Sequence, residues 1–385
     1  MKYRRFGNLD FEVSALGFGT MRFPVKGAMT DGNSSSNEVD EKEAIRMIRH
    51  AIDQGVNYID TAYGYHEGNS EIITGRALKD GYRDKVMLAT KSPVWLIKKP
   101  EDFDKLLDEQ LKKLGTDHID FYLLHAIGRD RWRDTIIRYD VLRQMERAKK
   151  DGKIGHIGFS FHDDADAFTE IIDGYDKWEF CQIQYNYLDI ENQAGVKGLK
   201  YAASKGIGVV VMEPLLGGKL ANPPMDVKAI LEGSGRDLSP SGWALEWLWD
   251  QPEVSLVLSG MSSMQQVEEN IASAEHSGIG IQSTSDHEII ERVRRRYAER
   301  TVIPCTACRY CMPCPNNVDI PRNFAIYNEG IMHEDVAGSQ RAYNIFTDED
   351  NRASSCIQCK VCEEKCPQKI FISEWMPKVH EALKK

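Results

Sequence analysis

Eight of the nine cysteines in this 385-residue chain fall between Cys305 and Cys366, in two quartets. The first is Cys305, Cys308, Cys311 and Cys314, followed by Pro315; the second is Cys356, Cys359, Cys362 and Cys366, followed by Pro367. Two-residue steps let successive thiolates turn toward one centre, and such thiolates ligate iron–sulfur clusters or zinc. Zinc takes four ligands, usually in two separated pairs. Two unbroken quartets, each closed by Cys-Pro, favour two [4Fe–4S] clusters instead. The second quartet has the three-residue last step of a cluster motif, whereas the first is one residue short before Cys314. Ligation by Cys314, and with it the count of one cluster or two, stays open. The prolines help aim each fourth cysteine at the other cluster. Cys181 stands alone far upstream and reads as a buried thiol on a strand.

A second set of reactive types lies at the ends of short apolar runs. Asp60, Lys91, His125 and Ser160 end successive runs, Gln182 lies inside the next, and Tyr65 follows Asp60 by five residues. Burying Asp, Lys, Tyr and His is costly unless they pair with one another. Together they suit the reduction of a carbonyl. Hydride addition leaves an alkoxide that needs a proton, and a phenol of pKa about 10 is a weak donor unless its anion is stabilised. A protonated Lys91 near Tyr65 would lower that pKa, and Asp60 would keep the lysine charged and in place. His125 would donate a hydrogen bond to the carbonyl oxygen. The plainer alternative is an Asp60–Lys91 ion pair that only fills the fold.

These residues need a scaffold that gathers strand ends. Strand-like runs occur at Ala15–Thr20, Asn57–Ala62, Val86–Ser92, Ile119–Ala126, Ile154–Phe161, Phe180–Asn186, Gly208–Pro214 and Val254–Met261. Helical patterns such as EKEAIRMIRHAIDQG, EDFDKLLDEQLKKLG and SMQQVEENIASAEH separate them, several stopping at Gly. Eight strands alternating with helices predict an α/β fold, a (β/α)8 TIM barrel whose active site sits at the strand C-termini. An open doubly wound sheet is the alternative, weakened by the lack of a GxGxxG turn after the first strand. MKYRRFGNLDFEV predicts a hairpin around Gly7-Asn8. Two polar loops interrupt the pattern, Asp31–Asn37 after the first strand and Asn222–Ser241 after the seventh. Ser285–Thr301 reads as a helix on the barrel's outside. The expected domains are a barrel over 1–280, a connecting helix over 281–303 and a cysteine-rich domain over 304–385. A formal charge of −10 argues against nucleic-acid or anionic-membrane partners. No signal sequence or membrane-length apolar run is visible, which predicts a cytoplasmic protein.

The stretch Asn57-Tyr-Ile-Asp60-Thr-Ala-Tyr-Gly-Tyr65, with Lys91 in MLATKS and His125 in IDFYLLHA, resembles the catalytic tetrad of the aldo-keto reductase family. The five-residue spacing then favours Tyr65 over Tyr63 as the acid, with Tyr63 a pocket wall. The resemblance covers about residues 1–280. It implies a nicotinamide cofactor, NAD(P)H, extended across the barrel mouth without a Rossmann fold. Gly19 and Thr20 of GFGT would border it. Ser160 and Gln182 would hold the carboxamide, and Met212 would stand where a ring usually stacks on nicotinamide. Pro214, Leu215 and Gly217 belong to the loop that would cover the pyrophosphate. Gly260, Ser262, Gln266, Glu269 and Asn270 would line the adenosine side, Glu269 and Asn270 facing adenine. Phe161 replaces a frequent Asn. Gly260 and Gln266 replace the cations that usually surround a 2′-phosphate, which leans the preference to NADH.

The Pro315–Ser355 insert between the quartets looks helical, so the tail resembles a helical ferredoxin-like 4Fe–4S domain. Similar segments occur in a ferredoxin-tailed branch of the aldo-keto reductases. The expected activity is interconversion of a small-molecule carbonyl and alcohol. The rivals are an iron–sulfur reductase fed by a ferredoxin-type donor, and a redox-sensing subunit that keeps only cofactor binding. A cluster and a hydride carrier exchange electrons poorly, so a structural or regulatory role for the clusters is favoured.

Overall fold

The computed structural model describes residues 1–26 and 38–384, so the expected loop Asp31–Asn37 lies outside the described residues. Contacts divide the chain into two units, Met1–Ala221 with Leu238–Ser283, and Asn222–Asp237 with Thr284–Lys385.

The first unit opens with the expected hairpin, β1 (Tyr3–Arg5) paired antiparallel with β2 (Glu12–Ser14). Eight strands follow: β3 (Leu16–Gly19), β4 (Tyr58–Asp60), β5 (Met87–Ser92), β6 (Ile119–Ile127), β7 (Ile154–Phe161), β8 (Phe180–Gln184), β9 (Gly208–Met212) and β10 (Leu256–Gly260). They close as a parallel barrel, β10 returning to β3. Each helical pattern became a helix for a visible reason. Glu101–Leu114, for example, buries Phe103, Leu106, Leu107, Leu111 and Leu114 on one side, places acids in its first turn and stops at Gly115 with φ +66°.

The strand pleat sets what faces inward. Tyr58, Ala89, Phe121, Leu123, Phe180 and Val210 fill the interior around Phe6 of the hairpin. Phe6 lies 5.1 Å from the Phe121 ring and 6.0 Å from the Phe180 ring, and Asn8 N donates to Gly206 O at 2.9 Å. The hairpin thus plugs the strand N-termini and leaves the other end as the mouth. Gly158 is required here, because a Cβ would sit 2.5 Å from the Phe180 ring. Side chains repeat every second residue along a strand. Asp60, Lys91, His125, Gln182 and Met212 therefore share the inward face, one step nearer the mouth than Tyr58, Ala89, Leu123, Phe180 and Val210.

In the second unit Asn222–Asp237 is not the plain loop expected from its Pro, Gly and Ser content. Met225–Glu232 is helical, with Val227 and Leu231 buried one turn apart. Asp226 on it accepts from Arg296 at 2.6 Å and from Arg300 at 3.0 Å. This groups it with the helix Thr284–Glu299, which belongs to the same unit. The insert holds the helices Ile320–Met332 and Val336–Phe346, and Ile372–Leu383 follows the last cysteine. Ile303, Val318, Ile320, Phe324, Tyr343, Met376 and Val379 form the core of this unit. Asn328 serves Ile303 as a strand partner would, accepting from its N–H at 2.9 Å and donating to its carbonyl at 2.8 Å.

Candidate active site and cysteine sets

Lys91 is the hub of the mouth. Its Nζ donates to Asp60 Oδ1 at 2.6 Å, to Thr61 O at 2.9 Å and to Tyr65 OH at 3.4 Å. Three donors meet three acceptors, with lysine and aspartate both buried. Burial pulls Lys91 down, but Asp60 and Tyr65 facing it hold it above the ordinary lysine range. Burial raises Asp60 against the pull of Lys91. Tyr65 also ends up raised: desolvation outweighs the opposing charge of Lys91. The expectation that Lys91 would bring Tyr65 below its ordinary value is corrected to this extent. Lys91 acts in the expected direction, but a dry site costs the phenolate more than one shared cation returns.

His125 completes the group, its ring 6.0 Å from that of Tyr65 and 5.1 Å from that of Trp95. Burial, then the charges of Lys91, His162 and Arg131, push its pKa to about 3, so the imidazole is neutral. Its Nδ1 is buried without a hydrogen-bond partner. A break in the β6–β7 register between Leu124 and Ile127 turns it, with Ala126 at φ +51° and its N–H held by Ser160 Oγ at 2.7 Å. Ser160 accordingly props the His125 strand, a contact its expected cofactor role did not foresee. Tyr65 opens a turn in which His66 and Glu67 have φ of 50° and 58°, and His66 Nε2 accepts from Phe23 N at 3.2 Å. Tyr63 points elsewhere: its hydroxyl donates to Glu109 at 3.1 Å and Lys113 lies over its ring.

Sequence reading missed the polar layer behind Lys91. Glu71 Oε1 accepts from Thr90 Oγ1 at 2.7 Å and from Gln110 Nε2 at 2.6 Å. Gln110 Nε2 also donates to the Lys91 carbonyl at 3.0 Å, and Tyr122 OH donates to Gln110 Oε1 at 2.7 Å. A signal was present, since Gln110 interrupts the apolar stripe Phe103, Leu107, Leu111, Leu114.

The expected cofactor positions fall into groups. Gln182 is buried and its Oε1 lacks a partner, a vacancy that an amide N–H would fill. Thr20 is committed to Ser70 at 2.7 Å, and Ser70 in turn to Thr61 at 2.9 Å. Met212 is half-buried, and Pro214 and Leu215 lead into a turn where Leu216, Gly217 and Gly218 all have positive φ. Gly19 and Gly260 are paired neighbours on β3 and β10. Gln266 Oε1 accepts from Ser262 N at 2.8 Å, and Glu269 is exposed. Asn270 differs from expectation: it is buried and donates to Ser259 Oγ at 2.9 Å, so its amide serves β10 rather than facing outward. Arg22, also missed, lies along the open face of Gly260 and ends near Gly217.

The eight C-terminal cysteines form two sets that cross the sequence order. Cys305, Cys308 and Cys311 line one cavity with Cys366. Cys314 lines a second with Cys356, Cys359 and Cys362. All are free thiols, as is Cys181, which is buried on β8 with its pKa pushed up by burial. Among the described residues no three His, Cys, Asp or Glu side chains converge on a point that would hold a single ion.

The aldo/keto reductase family model matches residues 15–292. The chain belongs to the aldo/keto reductase family. A 4Fe-4S dicluster domain model matches residues 304–371. The NADH-specific methylglyoxal reductase of Escherichia coli is 27% identical over 354 residues, covering 77% of this chain and all of that protein. The L-galactose dehydrogenase of Arabidopsis thaliana is 29% identical, covering 75% of this chain and 94% of its own. Among solved structures, the holo form of aldo-keto reductase AKR11C1 from Bacillus halodurans superposes with a TM-score of 0.60 at 26% identity, covering 76% of this chain and 96% of that one. An aldo/keto reductase from Klebsiella pneumoniae in complex with NADP and acetate gives a TM-score of 0.60 at 25% identity, covering 76% and 95%. The chain is thus an aldo/keto reductase-type oxidoreductase with an iron–sulfur domain. No helix among the described residues is long and apolar enough to cross a membrane.

Proposed function

We propose that the barrel reduces an aldehyde or ketone to an alcohol, or runs the reverse, with NAD(P)H and Tyr65 as the proton donor. The observation that carries this is Lys91 Nζ, held by Asp60 and within 3.4 Å of Tyr65 OH, beside a neutral His125. The nicotinamide, when bound, supplies the hydride. Tyr65 gives its proton to the carbonyl oxygen, Lys91 stabilises the phenolate left behind, and Asp60 keeps Lys91 charged. His125 donates to the same oxygen and orients it. Gln182 and the Ser160 hydroxyl would hold the carboxamide, and Arg22 would meet the pyrophosphate near Gly217. With Gly260 and Gln266 uncharged, the adenosine end favours NADH. An NADH-specific relative and NADP-bound neighbours both support a nicotinamide cofactor.

The crossed cysteine sets support two [4Fe–4S] clusters, with Cys314 a ligand despite its short step. Cys308 and Cys359 are exposed, which favours a second reading in which a ferredoxin-type donor reaches the clusters. Product formed under nitrogen from reduced ferredoxin alone, dependent on Cys359, would establish that route.

The test of the main reading is Tyr65→Phe. Turnover should fall by about a hundredfold or more with cofactor affinity retained. Tyr63→Phe is the control and should do much less. Near-normal turnover in Tyr65→Phe removes the assignment.

A further inference from the structure

The segment after β6 carries three arginines in alternation, and they are treated differently. Arg129 pairs with Asp164 at 3.1 Å and with Glu170 at 3.5 Å. Arg133 makes a fork to Glu170, 2.8 Å to each oxygen. Arg131, between them, has no carboxylate within ion-pair distance among the described residues. It turns back to the mouth instead. Its Nη1 donates to the carbonyl of Ala126, the residue directly after His125, at 2.6 Å. Its guanidinium carbon stands 5.8 Å from the Trp95 ring, and that ring stands 5.1 Å from the His125 ring.

A guanidinium has five N–H donors, and the Ala126 carbonyl occupies one. The rest of the fork is exposed beside the proposed reacting centre. Among the described residues, no other cation in this part of the mouth competes for the role. Lys91 is buried and saturated by three acceptors, and His125 is neutral. His162, whose Nδ1 lies 3.2 Å from Gln193 Oε1, is likewise pushed down, first by burial. A cation tethered by one backbone contact, with a planar fork facing open space, matches a carboxylate, which it can hold through two parallel charge-assisted hydrogen bonds.

We propose that Arg131 is the anchor for an anionic group of the substrate, and that the substrate is an oxo acid, a carbonyl compound carrying a carboxylate on a short spacer. This deepens the proposed function and rests on it for the reacting end. The carbonyl carbon takes the hydride from the reduced nicotinamide, its oxygen takes the proton of Tyr65, and the oxo acid leaves as the hydroxy acid with the nicotinamide oxidised. Trp95, between Arg131 and His125, supplies the apolar wall for the spacer.

The experiment compares 4-formylbenzoate, whose ring spaces the carboxylate from the aldehyde, with its methyl ester in the intact holoenzyme and in Arg131→Met and Arg131→Lys. The ratio of kcat/KM for acid over ester should fall by about tenfold or more in Arg131→Met, mainly through KM for the acid. Arg131→Lys should keep part of the preference, because charge remains while the fork is lost. Using the ratio removes any general loss from misfolding. Calorimetric titration of 4-formylbenzoate into enzyme holding oxidised nicotinamide, where no hydride is available, should show the same weakening. A ratio within about twofold of wild type, or equal calorimetric affinity, overturns the proposal for Arg131 and leaves the tetrad standing. Calorimetric binding that depends on Arg131, combined with normal turnover in Tyr65→Phe, leaves the anchor standing and overturns the tetrad instead.

Discussion

Asp60→Asn isolates what the buried ion pair does. The substitution keeps the shape of the side chain and removes the charge facing Lys91, whose Nζ is 2.6 Å away with both partners buried. Removing one partner of such a pair costs about 3–5 kcal/mol, because the other charge is left uncompensated. For a domain of this size that is a loss of roughly 6–20 °C in Tm. The pH dependence carries a sign. In the wild-type fold Lys91 is held above its ordinary pKa, so its stabilising contribution is complete below about pH 10.4 and is lost only as pH rises through the folded value. Across the neutral to mildly alkaline range it adds no slope. Without Asp60, burial dominates and depresses Lys91. The unfolded chain then binds a proton that the folded chain does not, and stability rises with pH toward the unfolded pKa. The gap in Tm between wild type and Asp60→Asn should therefore be largest near neutrality and narrow toward about pH 9. Differential scanning calorimetry at matched scan rates measures it. A gap below about 1 kcal/mol, or one that does not change with pH, would refute the view of Asp60 as the counter-charge that keeps Lys91 protonated.

Because His125 is already neutral with a pKa of about 3, kcat/KM for carbonyl reduction should show no inflection near pH 6–7 from this residue. A limb that disappears in a His125 variant would contradict that. Arg22→Ala should weaken NADH and NADPH alike, by about tenfold, if it meets the pyrophosphate; selective loss of NADPH in fluorescence titrations would place it at the 2′-phosphate instead. Anaerobic protein should carry about eight iron per chain. Cys366→Ser should lose the cluster of the Cys305 set and keep about four iron, whereas full iron retention would contradict the crossed sets.

Much of the barrel was legible because its signals are periodic. Eight apolar runs, their helical spacers and the Gly7-Asn8 hairpin each express one local rule, and Asp60, Lys91 and His125 were readable as polar ends of apolar strands. What escaped depends on direction rather than type. Nothing in the composition says that Asn270 turns inward to Ser259, that Ser160 props the bulge under His125, or that Arg131 lacks the carboxylate its neighbours have. The Met225–Glu232 helix was hidden by its flanking Pro, Gly and Ser, although Val227 and Leu231 keep helical spacing. At Tyr65 the pull of Lys91 was legible, but not the larger opposing cost of a dry site, because counting charges omits desolvation.

The crossing of the cysteine sets has a consequence for how this chain is made. During synthesis Cys305, Cys308, Cys311 and Cys314 leave the ribosome together, yet the partner thiol of the first three is Cys366, and Cys314 must await the second quartet. Neither set is complete until the second quartet has emerged, so the first quartet has no finished site to load when it leaves the ribosome. On the proposed assignment, cluster delivery would follow the second quartet and close both ends of the insert at once, and a chain cut short before Cys366 would lack a thiol of the set that was synthesised first.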